Sequence, residues 1–248
     1  MQKTKSAIIR INMIENLLEY TKTHDARVMT SKTFKRIADR YDLPNKRVID
    51  MGCGVGSYLQ RFGADSIGIT SRPDEVELGK KINRDLRLGN VEFLADSLSV
   101  EEKFDVIWCS NIFEHLLSPH AFLVNLKKFS HQDTLLIMGT PMVPIIPAQL
   151  MFKAFRGSLA TAHINFFNYH TYELTTNFAG WSTITSSSFY FENNFLNKLV
   201  NPFVPTVYIV AKNNPNYRYH SKKLTEWEHD PHYQPLIKIM NPDWQPPS

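Results

Sequence analysis

Asp50-Met51-Gly52-Cys53-Gly54-Val55-Gly56 is the stretch whose residue types and spacing say most about chemistry. Three glycines two apart let the chain turn sharply and let a ligand touch the main chain without meeting a Cβ. The start of a helix just beyond would offer N–H groups to a carboxylate. Asp50 can accept a hydrogen bond from an ammonium group. An anion-binding turn beside an ammonium-binding carboxylate suits a zwitterionic amino-acid moiety better than a pyrophosphate, which Asp50 would repel. The dinucleotide fingerprint needs glycine at 57, where Ser57 stands, and the Gly-Lys-Ser/Thr ending of a P-loop is absent.

The second set of candidates is Glu114, His115 and His163, a carboxylate and two imidazoles able to remove or deliver a proton. Beside that reading stand two plainer ones: a hydrogen-bond network at the start of a helix for Glu114-His115, and a packing histidine for His163. Asn111 lies three residues before Glu114. A carboxamide is a poorer ligand for a hard cation than a carboxylate, which weakens a metal reading of this pair without removing it, and no metal ligand is assigned.

These residues need a scaffold, and the hydrophobic pattern supplies one. Ile8, Ile11, Ile14, Leu17 and Leu18 give an amphipathic helix over 6–20, and a second helix is read over 31–41, ahead of Pro44. Short β-branched or apolar runs at 47–51, 66–70, 91–95, 104–109 and 134–138 read as buried strands. Helices over 55–62, 73–86 and 119–129 alternate with them. This alternation predicts a Rossmann-like, doubly wound α/β sheet. Residues 171–178 predict a further helix. Residues 181–191 and 205–211 predict two final strands, joined by about a dozen residues without a helical pattern, hence an antiparallel pair. Six prolines after Asn213 predict an irregular arm.

Residues 48–56 resemble motif I of the class I methyltransferases that use S-adenosylmethionine (AdoMet). Phe104-Asp105-Val106-Ile107-Trp108-Cys109-Ser110-Asn111-Ile112-Phe113-Glu114-His115-Leu116 resembles their fourth-strand motif, as found in small-molecule enzymes related to the ubiquinone-biosynthesis O-methyltransferases. His163-Ile164-Asn165-Phe166-Phe167, with Leu174 and Gly180-Trp181, is similar to the late segment of the same group. The likeness spans about 46–212. It implies a seven-stranded sheet, mostly parallel with an antiparallel final strand, N-terminal helices and a helical lid.

The resemblance implies AdoMet as cofactor, S-adenosylhomocysteine as product, and a contact set beyond Asp50, Gly52, Cys53, Gly54 and Gly56. Thr70 and Ser71 end the second strand. A threonine at 70 departs from the usual acidic residue for the ribose and is similar to the cyclopropane-synthase-like enzymes. Asp96 and Ser97 would meet the adenine, and Ser110 and Asn111 the methionine end. Tyr58 and Trp108 are candidate walls for the sulfonium charge. The domain order expected is a helical cap over 1–44, the AdoMet core over 45–140, a lid over 141–180, the last strands over 181–212 and the arm over 213–248.

The acceptor expected is a small, apolar, aromatic or lipid-like molecule methylated on oxygen or carbon, because the lid region is rich in Phe, Tyr and proline. Residues 142–156, ending in Lys153 and Arg156, could touch a membrane surface. A net charge of +4 from dispersed residues argues against nucleic acid; Lys32, Lys35, Arg36 and Arg40 read as a solvated helix face. Methylation of RNA or protein is a competing reading, weakened because Ser110-Asn111-Ile112-Phe113 replaces the Asn-Pro-Pro-Tyr type of motif. A non-catalytic scaffold is the other, and it would be expected to have lost the glycines or Asp50. Cys53 and Cys109 both fall in core motifs, and no secretory or membrane-spanning pattern is read, so the cytoplasm is the expected compartment.

Overall fold

The computed structural model describes residues 2–96, 101–143 and 162–245, with the side chains of 2–13 and 94–96 outside the description. It carries one seven-stranded sheet in the order β3-β2-β1-β4-β5-β7-β6. By internal contacts the chain divides into two units, residues 1–97 and 98–248.

In the first unit, α1 (Gln2–Thr30) runs well beyond the helix read from sequence, and α2 (Lys32–Arg40) follows. Ser31 separates them by capping α2, its hydroxyl accepting from Phe34 N at 3.1 Å. Phe34, Ile37 and Ala38 are buried on one side of α2, while Lys35 pairs in solvent with Asp39 at 2.5 Å. The basic cluster is therefore largely a solvated face. Three parallel strands follow: β1 (Val48–Met51), β2 (Ile67–Thr70) and β3 (Leu86–Leu88), with Ile49 opposite Ile67 and Gly68 opposite Leu86. Every residue of β1 and β2 is buried, which explains their unbroken apolar reading.

Three expectations need correction here. The third strand is at Leu86–Leu88, not 91–95; Val91–Asp96 forms tight 3-10 turns because Asn90 caps them, its side chain accepting from Glu92 N at 2.9 Å. α3 (Pro73–Lys81) stops five residues early because Asn83 turns left-handed at φ 56°. The helix expected over 55–62 is a 3-10 segment, Ser57–Arg61, entered from Gly56 at φ 73°.

In the second unit, β4 (Phe104–Ser110) and β5 (Ser130–Pro141) are parallel, with α4 (Pro119–Leu126) between them. α5 (Tyr169–Phe178) is capped by Asn168, and the antiparallel pair of β6 (Trp181–Ser187) and β7 (Thr206–Asn213) follows as expected. β7 also runs antiparallel to β5. A helix read as absent is present: α6 (Asn194–Val200) lies between β6 and β7. Its periodicity is inverted, with Asn197 buried and Phe195 and Leu199 exposed, so an apolar-in pattern misses it. The arm is also ordered. α7 (Ser221–Trp227) and α8 (Gln234–Met240) form there, and α8 buries Leu236, Ile237 and Met240. Tyr219 fastens the arm through its hydroxyl, 2.8 Å from His120 Nε2.

Candidate functional site

The glycine loop occupies the carboxyl end of β1. Gly52, Gly54 and Gly56 have φ of 74°, 53° and 73°, a left-handed region that costs other residues about 1–2 kcal/mol. The amides of Gly52 and Cys53 both donate to Ile69 O, at 3.0 and 2.9 Å, tying the loop to β2. A Cβ at Gly56 would lie 2.7 Å from Leu86 Cδ2, so that glycine is needed for packing. At Gly54 the nearest atom to an added Cβ is Glu75 Oε1 at 3.9 Å, so the space above that glycine is open.

Asp50 is 2% exposed, and its Oδ2 has no hydrogen-bond partner. Burial pushes its pKa from 3.8 to about 8. A buried carboxyl without a partner is costly, and a cation would relieve the cost. Cys53 turns its side chain toward Gly68, where an added Cβ would fall 2.5 Å from Sγ. Its thiol also donates to Gly54 O at 3.4 Å within the loop, and burial raises the thiol pKa.

Glu75 is the residue that sequence reasoning missed. It enters from the first turn of α3, is buried, and accepts a hydrogen bond from the Thr70 hydroxyl. Arg72 Nε stands 3.7 Å from its Oε1. A buried carboxylate thus stands beside Thr70 although it lies five residues on in sequence, a pairing readable only once α3 starts at Pro73. Ser71 follows Thr70 and is exposed. Ser97 and the side chain of Asp96 lie outside the described residues.

The loop is braced from α1. Arg84 donates to Val55 O at 2.8 Å and to Asp25 Oδ2 at 2.6 Å, with its side chain 8% exposed. Leu17, Val55 and Leu78 form the cluster beneath. Tyr58 packs edge-on to Phe34 at 4.9 Å, inside this support.

In the second unit, Glu114, His115 and His163 come together although the two histidines are far apart in sequence. The segment around His163 is clamped to the Glu114 turn: Ile164 N and Asn165 N both donate to Glu114 O, at 3.0 and 3.1 Å, and Asn165 Nδ2 donates to Leu116 O at 2.5 Å. Glu114 is 2% exposed and accepts from Thr140 Oγ1 at 2.9 Å. His115 Nδ1 sits 3.0 Å from Ala162 O, which fixes it as the donor, and His115 Nε2 lies 3.9 Å from Glu114 Oε1. The rings of His115 and His163 are 4.9 Å apart. One donor atom from each of the three residues falls within 4.8 Å of the others, a grouping able to hold a cation as well as to move a proton. Around them Leu117, Ile164 and Phe166 are exposed at 77%, 54% and 52%, giving apolar surroundings.

Ser110 and Asn111 end β4. Asn111 is left-handed at φ 54° and its amide donates to Gly139 O at 2.8 Å. Trp108 is fully buried beside Tyr208, which removes it as a wall residue. Of the lid expected over 141–180, residues 144–161, with Lys153 and Arg156, lie outside the described residues.

A seven-stranded sheet with an antiparallel penultimate strand and a glycine loop after β1 defines the Rossmann-like fold of AdoMet-dependent methyltransferases. Residues 22–186 match the family described as "Methyltransferase domain", and the chain belongs to that family. It is 28% identical over 110 residues to a mitochondrial ubiquinone biosynthesis O-methyltransferase of Schizosaccharomyces pombe, covering 41% of this chain and 40% of that protein. It is 31% identical over 120 residues to a tRNA U34 carboxymethyltransferase of Pseudomonas savastanoi, covering 45% and 37%. The chain thus spans less than half the length of either curated relative. An AdoMet-dependent methyltransferase from Clostridium acetobutylicum has the same fold, with a TM-score of 0.57 at 8% identity over 79% of this chain and 99% of that one. AdoMet is the cofactor of this family, and the residues present fit it: an unpartnered buried Asp50 oxygen for an ammonium, an open cradle at Gly54, and the Glu75 carboxylate beside it.

Proposed function

We propose that this protein transfers a methyl group from AdoMet to an oxygen or carbon atom of a small, apolar or aromatic acceptor. The observation that carries the cofactor half is the orphaned Asp50 carboxyl beside the open face of Gly54. Asp50 would hold the methionine ammonium, the glycine loop its carboxylate end, and Glu75 the ribose hydroxyls, with Thr70 orienting Glu75. Ser71, Asp96, Ser97, Ser110 and Asn111 keep the roles the resemblance gives them. When bound, AdoMet supplies a methyl group activated by a sulfonium.

The work left to the chain is to align an acceptor and take its proton. His163 and His115 are assigned that proton. Glu114, anchored by Thr140, stabilises the positive charge the imidazoles acquire. The exposed Leu117, Ile164 and Phe166 favour an apolar acceptor over an anionic one. The RNA-modifying relative gives the nucleic-acid reading some standing, but dispersed basic residues with a net charge of +4 give it little electrostatic footing.

The test is transfer from methyl-labelled AdoMet to a panel of phenolic, lipid-like and RNA acceptors. Label in an apolar phenol or lipid, lost with His163→Ala, is the expected result. Label only in RNA, or label unaffected by that substitution, would overturn the acceptor reading.

A further inference from the structure

α6 is built inside out. Asn197 and Asn201, the residues that would ordinarily face solvent, are buried at 0% and 4% exposure. Asn197 Oδ1 accepts from Phe191 N at 2.9 Å and from the Ser188 hydroxyl at 3.2 Å, while its Nδ2 donates to Phe191 O at 2.7 Å. Asn201 accepts from Ser188 N and donates to Ser186 O, both at 2.8 Å. Asn193 caps the helix. This network ties the helix to the end of β6 by its polar side.

The apolar side is consequently turned outward. Phe195 is 72% exposed, Leu199 62% and Phe203 60%, with Phe191 and Leu196 beside them. Rotating the helix to bury that stripe would strip two buried asparagines of satisfied bonds, at about 1–3 kcal/mol for each group left unpaired. The outward orientation is therefore held in place, and the stripe is available to a partner.

We propose that this face docks on a membrane of zwitterionic phospholipid. The exposed apolar area of the stripe is on the order of 500 Å², the scale of a functional patch on a single chain. Phe, Leu and a neighbouring Lys make up the composition of helices that lie in the lipid interface. Charge complementarity favours a zwitterionic lipid. A cleft of about 320 Å³ along β6 is lined by Lys198 from α6 and Glu173 from α5, with the hydroxyls of Thr183, Thr185 and Ser186. Lys198 matches a headgroup phosphate and Glu173 its ammonium. Lys198 reaches the polar layer while Phe195 and Leu199, on the same helix, enter the acyl boundary. The lipid surface uses none of residues 142–156 and none of the Glu114 cluster.

Co-sedimentation of the full chain with phosphatidylcholine–phosphatidylethanolamine vesicles tests this, without AdoMet, so that failure leaves the methyl-transfer reading untouched. The wild type is expected to sediment with the vesicles. Phe195→Ser/Leu199→Ser is expected to bind at least tenfold more weakly at an unchanged Tm. Should that variant unfold, Phe203→Ser and Lys198→Glu serve instead, each expected to weaken binding several-fold. Wild type left in the supernatant, or variants binding as well as wild type, would overturn the proposal. So would a concentration-dependent dimer that the variant abolishes while vesicles stay unbound, which would make a second copy of the chain the occupant.

Discussion

The first unit and the second hold their polar groups in opposite ways. At the β1 loop, Asp50 is buried with an oxygen that bonds to nothing, and burial raises its pKa to about 8. At the Glu114 turn, Glu114 is equally buried, yet Thr140 donates to it, and the chain around it is clamped to the segment 162–165. One region stores an unmet hydrogen-bonding demand; the other has met its own demands and presents two imidazoles. An unmet demand is what a tightly held charged cofactor would satisfy, whereas a self-satisfied cluster suits a group that must release its ligand each turnover. The difference predicts that binding and turnover separate by unit.

The largest expected effect comes from Gly54→Arg. It fills the open cradle at a left-handed residue and is expected to weaken AdoMet binding at least 100-fold by calorimetry, with the far-UV dichroism retained. Affinity within threefold of wild type would break the assignment of the loop. Next, Glu114→Gln and His163→Ala are expected to lower kcat about 100-fold, in the range that loss of a proton-transfer group costs. AdoMet affinity is expected to stay within twofold. A parallel loss of affinity would show that the two units do not divide the work.

How much of this was legible in the sequence follows from the same contrast. The loop is one continuous stretch in which glycine spacing, Asp50 and the preceding β-branched run all act locally, so the residue pattern carried it. The partnership of His115 with His163 needs the segment 162–165 to return and bond the Glu114 carbonyl, and only the resemblance pointed there. Glu75 was overlooked because its place beside Thr70 depends on where α3 begins. α6 was overlooked because buried asparagines and exposed phenylalanines invert the hydrophobic pattern by which helices are read.

Asp50→Asn sharpens the comparison in two directions. A raised folded pKa means the folded state holds a proton that the unfolded chain releases. The stability this contributes is complete below about pH 4 and is lost as pH rises through about 8. The variant is expected to show no such loss, and to melt a few degrees above wild type at pH 8, on the scale of about 2–4 °C per kcal/mol for a chain of this size. It is also expected to bind AdoMet about tenfold more weakly. Thermal melts from pH 5 to 9 check the sign; a wild type that gains stability toward pH 8 would contradict it. The smallest effect is expected from Arg84→Lys, which keeps the charge near Asp25 but loses the forked contact to Val55 O. A two- to fivefold loss of AdoMet affinity with unchanged kcat is expected, and a change in kcat instead would place Arg84 outside the support of the loop.

The most direct measurement is calorimetric titration of wild type and Asp50→Asn with AdoMet and S-adenosylhomocysteine. Micromolar binding of both ligands to wild type, weakened in the variant even though the variant is the more stable protein at pH 8, is the predicted result. Absence of binding to wild type, or equal binding to both proteins, would contradict the assignment of the β1 loop as the seat of the cofactor.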